Sequence, residues 1–279
     1  MNYRHAYHAG NFADVLKHAS LVAVLLHLHK KDTPFAVIDC HGGRGLYDLG
    51  GEEAKKTGEA EAAIGRLLQI DSVPAGLRPY VELVRAFGPP LYPGSPLIAA
   101  KSLRERDRLV AIEKHPDEHA ALVRALGSER RARVINGDYI GELPKLLPPT
   151  ERRGVVLIDP PYEADDEFAA ATRALIAGHR RFANGIFLFW YPAKEKASVD
   201  ASAGELLNAG IKSLLKIELD VGRPLSADAN DSRLSATGLL VVNPPFGFAE
   251  TMREVVLFLR QLLAQGPQAS GSVEVLGQA

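Results

Sequence analysis

Cysteine is nearly absent from this sequence. The one thiol among 279 residues, Cys40, excludes an internal disulfide and suits a reducing cytoplasm. Long hydrophobic runs are missing as well. No stretch of about 18 apolar residues occurs, so no membrane span is expected. The amino terminus has no basic segment leading into an apolar run, so no signal peptide is expected either. Charge of one sign is also lacking: 33 Lys and Arg meet 34 Asp and Glu, a net charge of −1. Nucleic-acid coats are usually basic, so any RNA contact here needs positive charge gathered locally.

Some of it is gathered. Residues 1–31 hold Arg4, Lys17, Lys30 and Lys31 against the single acid Asp14, with five of the nine histidines (His5, His8, His18, His27, His29). Arg130-Arg131-Arg133, Arg152-Arg153 and Arg180-Arg181 are further clusters. Such runs are commonly solvated faces, and RNA contact is the alternative. With 46% hydrophobic and 24% charged residues, the chain is long enough for one large α/β domain with an insertion, or two small domains.

The stretch Val155 to Tyr162 organises the rest. Val155-Val156-Leu157-Ile158 reads as a buried strand. Pro160 and Pro161 have no N–H to continue a ladder, so the strand stops there. Asp159 and Tyr162 are left at the carboxyl end of a buried strand, where open α/β sheets bind ligands. Asp159-Pro160-Pro161-Tyr162 resembles the signature of methyltransferases that act on an exocyclic nucleobase amine with S-adenosylmethionine. The amine's lone pair is conjugated into the ring. Acceptors at Asp159 and the Pro160 carbonyl would draw it out, while Tyr162 would stack on an extruded base. A strand ending in a proline turn, with Asp159 as a cap, is the bland reading. A second tetrad, Asn243-Pro244-Pro245-Phe246, fits a looser form of the pattern. It has only a helix-like run, Glu250 to Leu263, and a short tail after it, so Asp159 is favoured.

Other strand ends agree. A helix is expected from Ala13 to Lys31, with Asn11 as cap and Asp14 in its first turn. Phe35 to Asp39 is a buried strand running into the turn Cys40-His41-Gly42-Gly43-Arg44-Gly45. Glycine there lets a backbone approach a ligand closely. Leu109 to Glu113 ends in an acid suited to ribose hydroxyls, at more than the usual spacing of about twenty residues from the turn. Helical segments in 50–92 account for the longer gap. Ser95 is placed as the cap of a helix with Pro96 at its first position, a ready anion site. Arg133 to Ile135 leads to Asp138, and Gly185 to Pro192 is a fifth strand. Ile211 to Val221 and Ala236 to Asn243 are expected to pair antiparallel at the sheet edge. Gly222 to Arg233 is expected to be mobile, and the Gly/Ser/Gln-rich tail after Gln265 disordered.

Together with Tyr3-Arg4-His5, His8 to Asn11, Asp14 to His18, Tyr92 to Pro96 and Trp190-Tyr191-Pro192, these residues make the chain resemble the ribosomal RNA large subunit methyltransferase J family. Its members make N6-methyladenine in 23S rRNA. The resemblance runs from Tyr3 to about residue 260. It implies a Rossmann-like S-adenosylmethionine-dependent methyltransferase sheet over residues 1–49 and 93–265, a helical insertion at 50–92 after the first strand, and a tail at 266–279. It implies cofactor contacts at His18, His41, Ser95, Glu113, Asp138, Tyr139 and Asp159, with Asp159 catalytic. Tyr3, His5, Lys17, Pro160 and Tyr162 would meet the RNA. Gly42 stands where the family pattern has Ala, and no Gly follows Asp138. No metal and no obligate protein partner is expected. A DNA adenine-N6 methyltransferase is a rival reading, weakened by near-neutral charge and the lack of a DNA-recognition domain. A non-catalytic RNA-binding protein on this fold is another.

Overall fold

The computed structural model describes residues 5–164, 166–193, 196–224 and 233–277. Among these residues ten strands follow in chain order: β1 (Ala36–Asp39), β2 (Leu46–Asp48), β3 (Leu91–Pro93), β4 (Arg108–Glu113), β5 (Ala132–Asn136), β6 (Gly154–Ile158), β7 (Ile186–Pro192), β8 (Leu214–Asp220), β9 (Ala236–Val242) and β10 (Ser270–Gly277). Eight form one sheet in the order β10-β8-β9-β7-β6-β1-β4-β5, while β2 and β3 pair separately. From β5 across to β7 neighbouring strands are parallel, and β9 and β8 run antiparallel to their neighbours. The order reverses at β1, which opens a crevice at the carboxyl ends of the strands around it. β1 and β6 are buried along their whole length, as strands of a sheet covered on both faces must be.

The pleat divides two cores. Val37, Leu109, Val155 and Leu157 face one layer, and Ile38, Val156 and Ile158 the other. The first layer is covered by α1 (Phe12–His29). Asn11 caps that helix by accepting the Asp14 N–H at 3.0 Å. Its length and mean hydropathy of 1.2 would suit a membrane span, yet 78% of it is buried inside the fold, so it is a core helix. The segment 50–92 adds α2 (Glu52–Thr57), a π turn (Glu61–Gly65) continuing into α3 (Arg66–Leu68), and α4 (Arg78–Phe87). Ile64, Leu67, Tyr80 and Val84 of this insertion share the core of α1 rather than forming their own. Next along the chain are α5 (Ser95–Ser102), α6 (Pro116–Leu126), α7 (Tyr139–Leu146), α8 (Glu167–Arg181), α9 (Lys196–Asn208) and α10 (Phe248–Leu263). The second layer contains Leu143 of α7, Leu175 of α8 and Leu206 of α9.

Two expectations need correction. The tail is not disordered: Ser270–Gly277 pairs antiparallel with Leu214–Asp220. Its composition resembles a linker, but β8 offered an unpaired backbone edge, and pairing satisfies those groups. Ser95 is not the cap of α5. Gly94 is, without a side-chain bond, and Ser95 opens the helix. Most of the Gly222 to Arg233 segment, like Tyr3, lies outside the described residues.

Candidate functional site at the carboxyl ends of the strands

A cavity of about 1120 Å³ opens where the carboxyl ends of β1, β4, β5, β6 and β7 meet the start of α1. This volume exceeds what one cofactor-sized ligand occupies and leaves room for a nucleobase. Among the described residues its lining holds nine Asp and Glu against four Lys and Arg. The cavity is therefore an acidic site that suits a cationic ligand.

Asp159 follows β6 directly, and its carboxylate is ion-paired with Lys17. Lys17 also reaches the Asp14 carboxylate at 2.9 Å, one helical turn back, and lies 5.7 Å from the centroid of the Trp190 ring. Only 4% of Lys17 is exposed. Burial alone would lower its pKa, but the charges of Asp14 and Asp159 outweigh that and raise it. Asp14 is likewise pushed up by burial and pulled further down by His5 and Lys17. It accepts hydrogen bonds from the Gly10 N–H and from His5 Nε2, each at 2.9 Å. His5 thus joins this network. Lys17 is held inside the fold rather than presented to phosphates, a different position from that expected of a surface cation.

The turn after β1 comes next. The Asp159 N–H donates to His41 Nδ1 at 3.1 Å, so the ring proton of neutral His41 sits on Nε2. Burial lowers the His41 pKa to about 4, which keeps it neutral. The ring packs at 4.4 Å from Tyr139. Glu113 at the end of β4 accepts the Gly43 N–H at 2.8 Å and the His115 N–H at 2.7 Å. Gly43 has φ +57°, and a Cβ there would come within 2.4 Å of the Tyr47 hydroxyl. The turn is therefore closed to other residues on steric grounds. Gly42 is also tight, since its Cβ would lie 2.6 Å from a Leu122 methyl.

Asp39 is buried, and burial raises its pKa to about 6 although the Ser95 hydroxyl and the His41 N–H stabilise the charge. Asp39 Oδ2 itself makes no hydrogen bond. Asp138 caps α7 through the Ile140 N–H and pairs with Lys114 at 2.8 Å. His18 Nδ1 lies 2.8 Å from the Tyr92 hydroxyl, itself 2.9 Å from that of Tyr80. Burial lowers the His18 pKa to about 3. Tyr162 has φ +54°, and its hydroxyl donates to the Trp190 carbonyl at 2.7 Å.

Every expected site residue that is described, from His5 to Tyr162, lines this cavity. Asn243 does not. β9 runs antiparallel to β7 and pairs Val242 with Phe187, so its carboxyl end lies at the opposite pole. There the Asn243 amide donates to the carbonyls of Ala183 and Gly185. Reading the sequence missed the Asp14–Lys17 pair, the Tyr80–Tyr92 chain and Glu59, which accepts from Asn11 and bonds His8. Only the spacing of Asp14 and Lys17 on α1 could have signalled the first.

A parallel sheet reversing at β1, with an acid-lined crevice and an Asp-Pro-Pro-Tyr tetrad at its rim, defines a Rossmann-like methyltransferase. A crystal structure from Legionella pneumophila superposes with a TM-score of 0.86 at 30% identity, covering 96% of this chain and 98% of that one. The family model described as ribosomal RNA large subunit methyltransferase D, RlmJ, matches residues 32–276. The ribosomal RNA large subunit methyltransferase J of Escherichia coli is 39% identical over 99% of this chain and 98% of its own length. That of Haemophilus influenzae is 38% identical over 98% and 96%. The chain belongs to the ribosomal RNA large subunit methyltransferase J family.

Proposed function

We propose that this protein methylates the N6 amine of an adenine in 23S rRNA, with Asp159 as the catalytic acceptor. Family membership makes it an S-adenosylmethionine-dependent ribosomal RNA methyltransferase. The target atom and the residue roles are the proposal. The observation that carries it is the Asp159 carboxylate at the end of β6, at the rim of an acidic cavity large enough for cofactor and base. The cofactor supplies an electrophilic methyl on a positively charged sulfonium, and the excess of carboxylates in the lining fits that charge. His18, His41, Ser95, Glu113, Asp138 and Tyr139 would hold it.

On the substrate side, Asp159 and the Pro160 carbonyl would accept the two N–H bonds of the adenine amine and draw its lone pair towards the methyl. Tyr162, held by its bond to the Trp190 carbonyl, would stack on the base. Lys17 and His5 would act through this carboxylate network, and Tyr3 would join the same RNA-facing segment. Lys17 would hold the Asp159 carboxylate in place until the amine shares it. The cytoplasm is the compartment that fits a reduced, buried Cys40.

The test is nucleoside mass mapping of 23S rRNA from cells with and without the gene, alongside transfer to rRNA and to duplex DNA in vitro. Loss of one N6-methyladenine with the gene supports the reading. Faster transfer to DNA would favour the DNA enzyme, and cofactor binding without transfer to either would favour a non-catalytic RNA-binding protein.

A further inference from the structure

The cavity explains where a base and a cofactor go but not how a polyanion is held, because its lining is acidic. The missing positive charge is at the other pole. Each parallel strand of the sheet is preceded by a basic segment, a loop or the last turn of a helix. Lys30 and Lys31 precede β1, and Arg104 and Arg106 precede β4. Arg130 and Arg131 precede β5, Arg152 and Arg153 precede β6, and Arg180 and Arg181 precede β7. Residues 27–35, 103–108, 128–133, 150–153 and 179–184 hold twelve Lys and Arg against five Asp and Glu, in a protein whose net charge is −1. Parallel strands put all five loops on one surface.

Hydrogen bonds join them. Arg104 donates to the carbonyls of Lys31 and Thr33, and Arg153 to those of Thr33 and Leu28. Asn184 donates to the Arg152 carbonyl, which ties the β7 loop to the β6 loop. The charges crowd one another. The His27 pKa is lowered by burial and by Lys30, Arg153 and Lys31, and that of Arg153 by burial and Arg104. Only Arg104, Arg108 and Arg131 of the twelve meet a carboxylate at ion-pair distance among the described residues. The second tetrad ends on the same surface. Asn243 is fastened to the main chain of residues 183–185, and Phe246 beyond it is 98% exposed.

We propose that this pole is a second RNA surface, which binds the phosphate backbone of a segment of the substrate RNA other than the one presenting the target base, with Phe246 available to an unpaired base. Unpaired Lys and Arg supply sequence-independent affinity, and an exposed aromatic ring is the partner a single-stranded base stacks on. A five-residue strand separates the two poles by roughly 17 Å before the loops are added, so one base cannot touch both. The identity of the polyanion rests on the proposed function; binding is therefore measured apart from methyl transfer.

The experiment compares the full-length protein with Arg130→Gln/Arg133→Gln/Arg180→Gln and with Phe246→Ala. Among the described residues, none of these four side chains makes a hydrogen bond or ion pair on which the fold depends. Affinity for a long 23S rRNA transcript is measured by filter binding over a series of salt concentrations, with cofactor affinity by calorimetry and melting temperature as controls. The triple variant should bind at least tenfold more weakly at low salt. The slope of log affinity against log salt should become shallower by about 0.7–0.9 for each phosphate no longer neutralised. Phe246→Ala should weaken binding with the slope unchanged. Cofactor affinity and melting temperature should stay at the wild-type values. Unchanged RNA affinity and slope in the triple variant would overturn the proposal, including the case where the surface serves an acidic protein instead. If wild-type protein binds the transcript through this surface yet methylates nothing, the functional reading fails and this one stands.

Discussion

The residue with most at stake is Asp159, whose carboxylate is shared between Lys17 and, on the proposed function, the adenine amine. Asp159→Asn keeps the volume but leaves one acceptor and removes the charge that Lys17 faces. Methyl transfer should fall by about 3 kcal/mol of transition-state stabilisation, read as the single-turnover rate at saturating RNA, while cofactor still binds. The matching change at the second tetrad, Asn243→Ala, removes two hydrogen bonds to main-chain carbonyls and a residue tolerant of φ +53°. It should cost about 1–3 kcal/mol in a denaturant melt and leave the rate unchanged. The reverse pattern would make Asn243, not Asp159, the acceptor. Asp39 carries a pH signature. Its folded-state pKa, raised by burial to about 6, exceeds its unfolded value, so the native state holds the proton more tightly. Stability is therefore highest, for this group, at low pH and is lost as pH rises from about 4 to about 6, by roughly 2–3 kcal/mol. Asp39→Asn, which retains the acceptor for the His41 N–H, should abolish that transition in melting temperatures recorded between pH 4 and 8 and raise stability at pH 7. A variant that still shows the transition would assign it elsewhere.

At the scale of elements, α1 and β10 matter most. α1 runs antiparallel to β1, so one helix brings Asp14, Lys17 and His18 to the cavity and leaves Lys30 and Lys31 at the basic pole. Its first turn is fastened from the insertion, where Glu59 accepts from Asn11 at 3.0 Å and bonds His8. β10 has a protective role. It covers the edge of β8, and Gly271 lets it approach α10, since a Cβ there would lie 2.4 Å from Val256. Ending the chain after Gln265 should lower the melting temperature and produce self-association by edge pairing, seen as rising light scattering on warming. A monomeric truncation with the wild-type melting temperature would show that the edge needs no cover.

For the whole molecule, the dominant feature is charge separation: an acidic cavity at one end of the sheet and a basic surface at the other, hidden in a net charge of −1. A cationic cofactor should bind the native state alone, because only the folded sheet brings the loops of the lining together. At a hundredfold excess over its dissociation constant, S-adenosylmethionine should therefore stabilise the fold by about 2.7 kcal/mol. Differential scanning calorimetry would check this, and no shift in melting temperature at saturation would contradict a built cofactor site.

Much of this was legible along the chain because it is local. Apolar runs ended by Pro160 and Pro161, the glycines after Asp39, and acids at successive strand ends follow from backbone sterics and the period of a strand. They suffice to place Asp159, Glu113 and His41 at one rim and to expect the antiparallel pair β8–β9. Tertiary structure decided what depends on partners distant in sequence. Lys17 reads as a surface cation until the fold sets it against Asp159, 142 residues away. Ser95 reads as a cap until Gly94 takes the capping geometry. Ser270 to Gly277 reads as a linker until β8 presents an open edge. Basic clusters spread from Lys30 to Arg181 become one surface only because parallel strands put every preceding loop at the same end. Side-chain chemistry and local backbone preference are written in the order of residues, whereas burial, ion pairing and strand edges exist only once the sheet has closed.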